Sequence, residues 1–274
     1  MNTYQLQILK GDLLESFSKE IDAKVLSDAF SRLEDAELST SDFSFYTSVA
    51  SVYSSKIEGE TIELDSYIKH KRFGIEFSPD YTRKIDDLYL AYQFAKESIP
   101  DKENIPKAHT ILAKHIVAKS WLGRFRNQNM YVTTDEGRIE YVAASPFLVN
   151  SEMDKLYEDI STLLQHQLDI SAAFYFASMI HLVFVKIHPW NDGNGRSGRL
   201  LEKWFLAQHL GPKAWFIQSE KYYYQHHQEY YSNIRLLGLE YDELDYGAAL
   251  PFLEMLSKAV LHYLPPLQPA PDLK

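Results

Sequence analysis

Residues 188–199 of the chain read HPWNDGNGRSGR. They follow a mostly apolar run at residues 170–187 and precede LLEKWFL, residues 200–206. Both flanking segments have the length and composition of helices. The sequence therefore predicts two core helices joined by a glycine-rich polar turn, with the second helix starting directly after the turn.

This turn has the composition of a polyphosphate-binding site. Gly193 and Gly195 can adopt backbone angles that other residues avoid, so their N–H groups and that of Asn194 can converge on an anion. The N-terminus of the next helix adds unpaired N–H donors and the positive end of its dipole. Arg196 and Arg199 lie three residues apart and can project from one face, where guanidinium groups match phosphate oxygens.

Two more residues supply what a transfer reaction needs. Asp192 is a hard oxygen ligand, suited to a Mg²⁺ ion that bridges phosphates. His188 titrates near neutral pH and can accept a proton from an attacking hydroxyl. An isolated histidine at a helix end is more often structural, and so is an isolated Gly-x-Gly turn. Arginines at a helix start oppose the helix dipole, however, so the whole cluster favours function over a solvated surface.

The composition narrows the classes of function. The 274 residues include 28 basic and 38 acidic ones, for a formal net charge of −10, and no basic block that would indicate extended nucleic-acid binding. Cysteine is absent, which excludes disulfides and thiolate metal sites. The N-terminus lacks the pattern of a signal peptide, and the polar residues within 170–187 favour a buried helix over a membrane span. We expect a cytoplasmic protein with no membrane partner.

Apolar residues recur at helical spacing over most of the chain, which predicts a mainly α fold. We expect helices near residues 42–57 (capped by Ser41), 79–99, 106–119 (with Pro106 in its first turn), 150–167, 170–187, 195–210, 222–237 and 246–263. A hairpin is predicted at residues 129–143, NMYVTTDEGRIEYVA, with its turn at 135–137. We divide the chain into an N-terminal helical region (1–100), a core (101–240) and a C-terminal helix with a proline-rich tail (241–274).

The segment 188–199 resembles the signature of the Fic family, H-x-F-x-[D/E]-G-N-[G/K]-R-x-x-R, with Trp190 at the phenylalanine position. Residues 122–126, LGRFR, resemble the family's G-x-[YF]-R element, and the hairpin then occupies the position of the family's flap. Tyr230 and Tyr231 resemble an aromatic pair near the adenosine, although the nearby tyrosines 222–224 leave that assignment open. The resemblance covers about residues 105–235 and implies a Fic-type helical bundle with a short β-hairpin flap.

The resemblance implies a protein adenylyltransferase that transfers AMP from Mg-ATP to a Ser, Thr or Tyr hydroxyl of a target protein, and of itself. His188 resembles the base that deprotonates the hydroxyl, and Asp192 resembles the Mg²⁺ ligand. The target would add a strand to the flap hairpin. The residues implied to hold the ATP phosphates are Gly193, Asn194, Gly195, Arg196, Ser197, Gly198 and Arg199.

Residues 54–59, SSKIEG, resemble the inhibitory motif of the same family, [S/T]-x-x-x-E-[G/N]. Ser54 and Glu58 are four residues apart and would share one face of the helix at about 42–58. The resemblance implies that Glu58 pairs with Arg199 and occupies the space of the γ-phosphate. In some relatives the same glutamate supports removal of AMP. A capped surface helix that ends in Glu-Gly is the alternative.

Two other functions remain open at this point. A metal-dependent phosphohydrolase or phosphotransferase could use His188 and Asp192 together, but it would need further His or Asp ligands. A non-catalytic regulator could bind ATP through the same turn. His181, seven residues before His188, is expected to be a core histidine with satisfied hydrogen bonds. The target protein and the oligomeric state, including a homodimer, are not encoded in any motif.

Overall fold

The structure is a computed structural model that describes residues 4–77, 82–133, 137 and 139–263. Its longer helices and its two strands are α1 (Leu14–Glu20), α2 (Ala23–Ser31), α3 (Phe45–Ile57), α4 (Leu64–Phe73), α5 (Arg83–Lys96), α6 (Asn104–Leu112), β1 (Tyr131–Thr133), β2 (Ile139–Val142), α7 (Val149–Leu164), α8 (Ile170–Ile187), α9 (Asn194–Leu210), α10 (Ser219–Gln225), α11 (His227–Arg235), α12 (Leu250–Leu253) and α13 (Met255–His262). Short 3-10 turns occupy residues 119–121, 212–216, 241–243 and 246–248. The mainly α fold with a small hairpin is confirmed.

Helix α8 is the centre of the molecule because every residue from Ser171 to Ile187 is buried. The Asp169 carboxylate caps its start by accepting from the Ala172 N–H at 2.8 Å. Helix α8 is long and apolar enough to cross a membrane, but 94% of it is buried inside the protein, as in a core helix. It packs along α9, and helices α1, α2, α7, α12 and α13 also lie against it.

Helix α3 lies against α5, α9 and α10, and its packing face is made of small residues. Ser48, Ser51, Ser54 and Ser55 are all fully buried, so the backbone of α3 can approach its neighbours closely. The helix begins at Phe45 and its cap is Ser44, whose hydroxyl accepts from the Thr47 N–H. The prediction of Ser41 as the cap is therefore wrong by one turn, while the end near residue 57 is confirmed.

Three of the helices predicted from the sequence have different boundaries in the structure. Helix α6 ends at Leu112 rather than near 119, because the chain beyond it turns to bring the His115 N–H and imidazole onto the buried Asp87 carboxylate. The helix predicted over 222–237 is broken at His226, whose ψ of 38° is not helical. The helix predicted over 246–263 is divided into a 3-10 turn, α12 and α13.

The hairpin pairs β1 and β2 antiparallel, with Tyr131 opposite Val142 and Val132 opposite Tyr141. The predicted hairpin at 129–143 is thus confirmed at both of its strands, whereas residues 134–136 and 138 of its turn lie outside the described residues. The same holds for the start of the helix predicted at 79 and for the proline-rich tail from 264 onward. The N–H of Val142 donates to the carbonyl of Leu239 at 2.8 Å, which ties β2 to the segment after α11.

The N-terminal segment is held by one buried carboxylate. Asp159 in α7 is 1% exposed and accepts from the backbone N–H groups of Gln7, Ile8 and Leu9 at 2.7–2.8 Å. Hydrogen bonds to an ionised acceptor are stronger than neutral ones, and their donors lose a partner when the acceptor is removed.

We predict that Asp159→Ala lowers the free energy of unfolding by about 3 kcal/mol, because buried backbone donors lose a charged acceptor. Urea unfolding followed by circular dichroism measures the change. The control is Asp154→Ala in the same helix, which removes only an exposed ion pair to Lys102 and should cost less than about 1 kcal/mol. Equal losses in the two variants would contradict this role of Asp159.

Candidate active site

The candidate site is built on the end of α8. His188 has φ 54° and ψ 59°, and of the residues that the structure describes it is the single non-glycine one with positive φ. Its N–H donates to the carbonyl of Phe184 at 2.9 Å and closes the helix. A left-handed residue other than glycine costs about 1–2 kcal/mol, so the surroundings must hold it. Pro189 follows and prevents α8 from continuing.

Arg126 provides much of that support. Its guanidinium donates to the carbonyls of His188 at 2.7 Å, Gln128 at 2.6 Å and Ile187 at 3.2 Å, and also to that of Ala144. The backbone N–H of Arg126 donates to the carbonyl of Pro189 at 2.9 Å. One buried cation therefore joins the end of α8 to both flanks of the hairpin. Sequence reasoning placed Arg126 in a family element but did not identify this role.

The His188 imidazole is suited to accepting a proton. Its Nδ1 lies 3.2 Å from the carbonyl oxygen of Val185 and 3.2 Å from the hydroxyl of Tyr141. Burial lowers the pKa of His188 to about 4, and the charge of Arg126 adds to this, while the Val185 carbonyl and the Glu58 carboxylate act in the opposite direction. His188 is therefore neutral at pH 7, and an Nδ1–H bonded to Val185 leaves the Nε2 lone pair available.

The turn after His188 is organised by Asn194 and His109. The Asn194 side chain accepts from the Trp190 N–H at 2.8 Å and donates to the Trp190 carbonyl at 2.9 Å. His109 stacks on the buried Trp190 ring at 4.3 Å and accepts from the Gly123 N–H through Nδ1. Its Nε2 must then carry the proton, and it donates to the Asp192 carbonyl at 3.0 Å. No pattern in the sequence indicates this role of His109, because its partners Gly123 and Asp192 are distant in the chain.

The start of α9 leaves backbone donors available. Gly193 has φ 81° and precedes the helix, and the Ser197 N–H already donates to the Gly193 carbonyl at 2.9 Å. In the described part of the chain, the N–H groups of Asn194, Gly195 and Arg196 donate no hydrogen bond. Three unpaired donors at a helix N-terminus can bind an anion. The predicted turn is thus brought together with the helix start as expected from the sequence.

Gly198 lies on the side of α9 that packs against α8. A Cβ atom there would lie 2.8 Å from His181 and 3.0 Å from Val185, so glycine allows α9 to pack directly on α8. The hydroxyl of Ser197 is buried and finds no partner among the described residues. A role of these two residues in phosphate binding stays a prediction, whereas close helix packing accounts for Gly198.

The two motif arginines are buried and face carboxylates from the α3 end. Arg199 donates to Glu58 Oε1 at 2.6 Å and to the hydroxyl of Ser54 at 2.8 Å, and it is fully buried. Arg196 lies 3.8 Å from Glu60, and its Nε has no hydrogen-bond partner in the described residues. Burial opposes the charge of Glu58, but Arg199 and Arg196 outweigh it and hold the pKa of Glu58 below its ordinary value.

The contact between Glu58 and Arg199 fills the space beside the helix start. A side chain at Gly195 would overlap the Glu58 carboxylate, so Glu58 lies against the first turn of α9. Glu58 is also close enough to His188 for its charge to act against the lowering of the His188 pKa. The structure therefore brings Ser54 and Glu58 together with Arg199 and the motif turn. Glu58 is 141 residues from Arg199 in the sequence, and Ser54 is 145 residues from it.

The two tyrosines predicted to lie near the adenosine, Tyr230 and Tyr231, differ in their burial and contacts. Tyr230 is 2% exposed, and its hydroxyl lies 3.4 Å from Arg199 Nη1 and 3.0 Å from His181 Nε2. Tyr231 is only partly buried and packs against His227. His181 is fully buried, with its Nδ1 2.7 Å from Glu202, as expected of a core histidine with satisfied hydrogen bonds. The Tyr230 hydroxyl thus helps to hold the Arg199 guanidinium. A contact of either tyrosine with adenosine stays a prediction.

Asp192 is exposed at the edge of the turn. One carboxylate oxygen accepts from the Gly193 N–H at 2.5 Å, and the other has no partner among described residues. Mg²⁺ typically takes one or two protein carboxylates together with substrate phosphates and water, and this lone carboxylate beside an anion site fits that pattern. Within the described ranges, no group of three or more His, Cys, Asp or Glu residues could hold a metal ion by itself.

The comparisons with known proteins agree with this geometry. A family profile described as Fic/DOC family matches residues 100–206. The protein adenylyltransferase Fic of Aedes aegypti is 26% identical over 215 residues, which cover 69% of this chain. The matched region is 40% of the mosquito protein, so the chain spans less than half the length of that relative.

Solved structures share the fold. A Fic family protein from Desulfovibrio desulfuricans G20 superimposes with a TM-score of 0.71 at 20% identity, covering 94% of this chain and 74% of that one. A Fic domain containing signaling protein from Bacteroides thetaiotaomicron gives 0.69 at 19% identity, covering 88% and 92%. Fic-1 from C. elegans gives 0.63 at 18% identity, covering 90% and 71%. Profile and fold agree: residues 100–206 of the chain match the Fic/DOC family, and the chain has the fold of these solved Fic structures.

Proposed function

We propose that the chain is a protein adenylyltransferase, which transfers AMP from Mg-ATP to a side-chain hydroxyl of a target protein. The observation that carries the proposal is the neutral imidazole of His188, held beside a helix N-terminus with unpaired N–H donors and two buried arginines. Such a site combines a base with several donors for phosphate oxygens. The name of the mosquito relative is in keeping with this reaction.

In the proposed step, the hydroxyl oxygen of the target attacks the α-phosphorus of ATP. The hydroxyl proton passes to Nε2 of His188, a P–O bond forms to the target, and the bond between the α-phosphorus and the bridging oxygen breaks to release pyrophosphate. Arg196, Arg199 and the N–H groups at the start of α9 would hold the β- and γ-phosphates. Asp192 would hold Mg²⁺, which would neutralise phosphate charge.

Autoinhibition by Glu58 is part of the proposal. Glu58 bonds to Arg199 at 2.6 Å and covers the start of α9, where a triphosphate would have to lie. A carboxylate and a γ-phosphate would therefore compete for one guanidinium. Removing one partner of a buried ion pair normally costs stability, but here Arg199 keeps its bonds to Ser54 and gains access to nucleotide.

The target protein is proposed to dock on the hairpin. Tyr131 and Ile139 are 59% and 42% exposed on the two strands, so the hairpin offers apolar surface to a partner. An open pocket of about 390 Å³ lies next to the hairpin and is lined by Arg124, Phe125, Arg126, Asn127, Pro146, Phe147 and Asn150. An extended segment of the target could pair with a strand edge and place a side chain in this pocket.

The metal-dependent phosphohydrolase has less support. It would need several ligands around one ion, and the described residues hold no such group. A non-catalytic regulator would not need an imidazole that is neutral and bonded through Nδ1. We therefore give preference to the transferase.

We predict that Glu58→Gly increases self-labelling from ATP labelled at the α-phosphate by at least about tenfold, since one charged hydrogen bond to Arg199 no longer competes with nucleotide. Labelling is measured by autoradiography and by the intact-mass gain of one AMP. Glu63→Gly is the control, because the Glu63 side chain is 74% exposed and pairs with Lys56 rather than with Arg199. Equal labelling of wild type and Glu58→Gly would remove autoinhibition from the proposal.

We predict that His188→Ala in the Glu58→Gly background abolishes labelling but leaves Mg-ATP binding within about threefold, because the base acts on the transferred proton and not on the phosphates. Isothermal titration calorimetry measures the binding. Arg199→Ala should give the opposite pattern, with nucleotide binding strongly reduced. Persistent labelling in the His188→Ala variant would show that another group takes the proton.

We predict that labelling by Glu58→Gly changes less than about twofold between pH 8 and pH 5.5 at saturating ATP, because His188 with its lowered pKa stays neutral over this range. An imidazole with the ordinary pKa of about 6.5 would be about nine-tenths charged at pH 5.5 and would lose about tenfold in rate. ATP binding at each pH serves as the control. A loss centred near pH 6.5 would contradict the lowered pKa.

A further inference from the structure

Tyr141 in β2 belongs to no part of the Fic signature, yet it contacts the proposed base. Its side chain is buried, with 3% exposure, and its hydroxyl lies 3.2 Å from His188 Nδ1. The two rings meet edge to face with their centroids 6.0 Å apart. The surrounding burial raises the pKa of Tyr141 well above its ordinary value, so the hydroxyl keeps its proton. A neutral hydroxyl can either donate to Nδ1 or accept from it.

The position of Tyr141 is fixed on several sides. Its ring lies over the buried ammonium of Lys186, with the Nζ atom 4.5 Å from the ring centroid. The preceding residue, Glu140, accepts from Arg235 at 2.6 Å, and the following residue, Val142, donates to Leu239. Strand β2 is thus attached to the end of α8 and to the segment after α11. Tyr141 therefore reaches His188 from a strand that cannot slide independently of the core.

The second neighbour of Nδ1 decides which of the two roles the hydroxyl takes. The Val185 carbonyl lies 3.2 Å from Nδ1 and can only accept. With a proton on Nδ1, both the carbonyl and the hydroxyl are acceptors, and the Nε2 lone pair is available. With a proton on Nε2, the hydroxyl donates to Nδ1, but the carbonyl then faces a lone pair. Val185 thus favours the first tautomer, and the hydroxyl adapts to it.

We propose, on the basis of the function inferred above, that Tyr141 is a positioning residue for the base. Its hydroxyl is a second acceptor, beside the Val185 carbonyl, for the single Nδ1–H of His188, and it holds the imidazole in the orientation that leaves Nε2 available for the proton of the target hydroxyl, in the tautomer that Val185 favours. Because Tyr141 is part of the hairpin, the alignment of the base depends on the same element that the target is proposed to contact.

The charges around the imidazole make this support valuable. Arg126 disfavours a positive charge on His188, whereas Glu58 favours one. Once ATP displaces Glu58 from the site, the imidazolium formed in the reaction loses a stabilising carboxylate. The carbonyl of Val185 and the hydroxyl of Tyr141 are then the groups that stabilise its Nδ1–H.

The test compares Tyr141→Phe with the matched control Tyr157→Phe. Phenylalanine at 141 keeps the ring over Lys186 and removes only the hydroxyl. Tyr157 is a buried tyrosine of α7 whose hydroxyl has no partner among described residues. Long-range ¹⁵N–¹H correlation spectra report the tautomer of His188 without any substrate, and the His188→Ala variant identifies its signals. Labelling kinetics in the Glu58→Gly background give kcat and the KM for ATP.

We expect wild type and Tyr157→Phe to show a protonated Nδ1 and an unprotonated Nε2. In Tyr141→Phe, the Nδ1 shift should change because Nδ1–H loses one of its two acceptors, while Nε2 stays unprotonated, and kcat should fall about two- to tenfold, the range that one hydrogen bond supports, with the KM for ATP unchanged. Unchanged shifts in Tyr141→Phe would overturn the proposal, as would equal effects in both variants. If the Glu58→Gly protein labels nothing, the proposed function fails, while the spectra still decide the role of Tyr141.

Discussion

The hydrogen bonds from Arg126 to four backbone carbonyls are the contacts on which the site depends. They hold His188 in a left-handed conformation where α8 ends, and they join that point to the two ends of the hairpin. A helix that ended in any other direction would turn the imidazole away from the start of α9. Asn194 and His109 complete the same frame by fixing the turn between the two helices.

This frame creates a concentration of positive potential that the protein must balance. Two arginines are buried near a helix N-terminus with unpaired donors, although cations are unfavourable at that position. Glu58 and Glu60, at the end of α3, supply the balancing charges. Buried charge without a partner is costly, so the two buried arginines require an anion beside them. Glu58 meets this need, and in our proposal it thereby also limits nucleotide binding.

Much of this could be predicted from the sequence, because its strongest signals are local. Two helices joined by an anion-binding turn were predicted from the apolar run before residue 188, the glycines of the turn and the two arginines. The hairpin was predicted from β-prone runs on either side of a turn. The contact between Glu58 and Arg199 was predicted only through the family resemblance, since the two residues are 141 positions apart. Arg126, His109 and Tyr141 carried no readable signal for their roles, because each acts through backbone groups or rings distant in the chain. Helix ends were misplaced where one buried partner, such as Asp87 at His115, redirected the chain.

The most direct measurement is a crystal structure of the Glu58→Gly variant with Mg²⁺ and a non-hydrolysable ATP analogue. We predict that the β- and γ-phosphates contact Arg196, Arg199 and the N–H groups at the start of α9, with His188 Nε2 facing the α-phosphate across a gap that a hydroxyl can fill. A nucleotide bound elsewhere, or an α-phosphate on the side of the pocket away from His188, would contradict the proposed transfer.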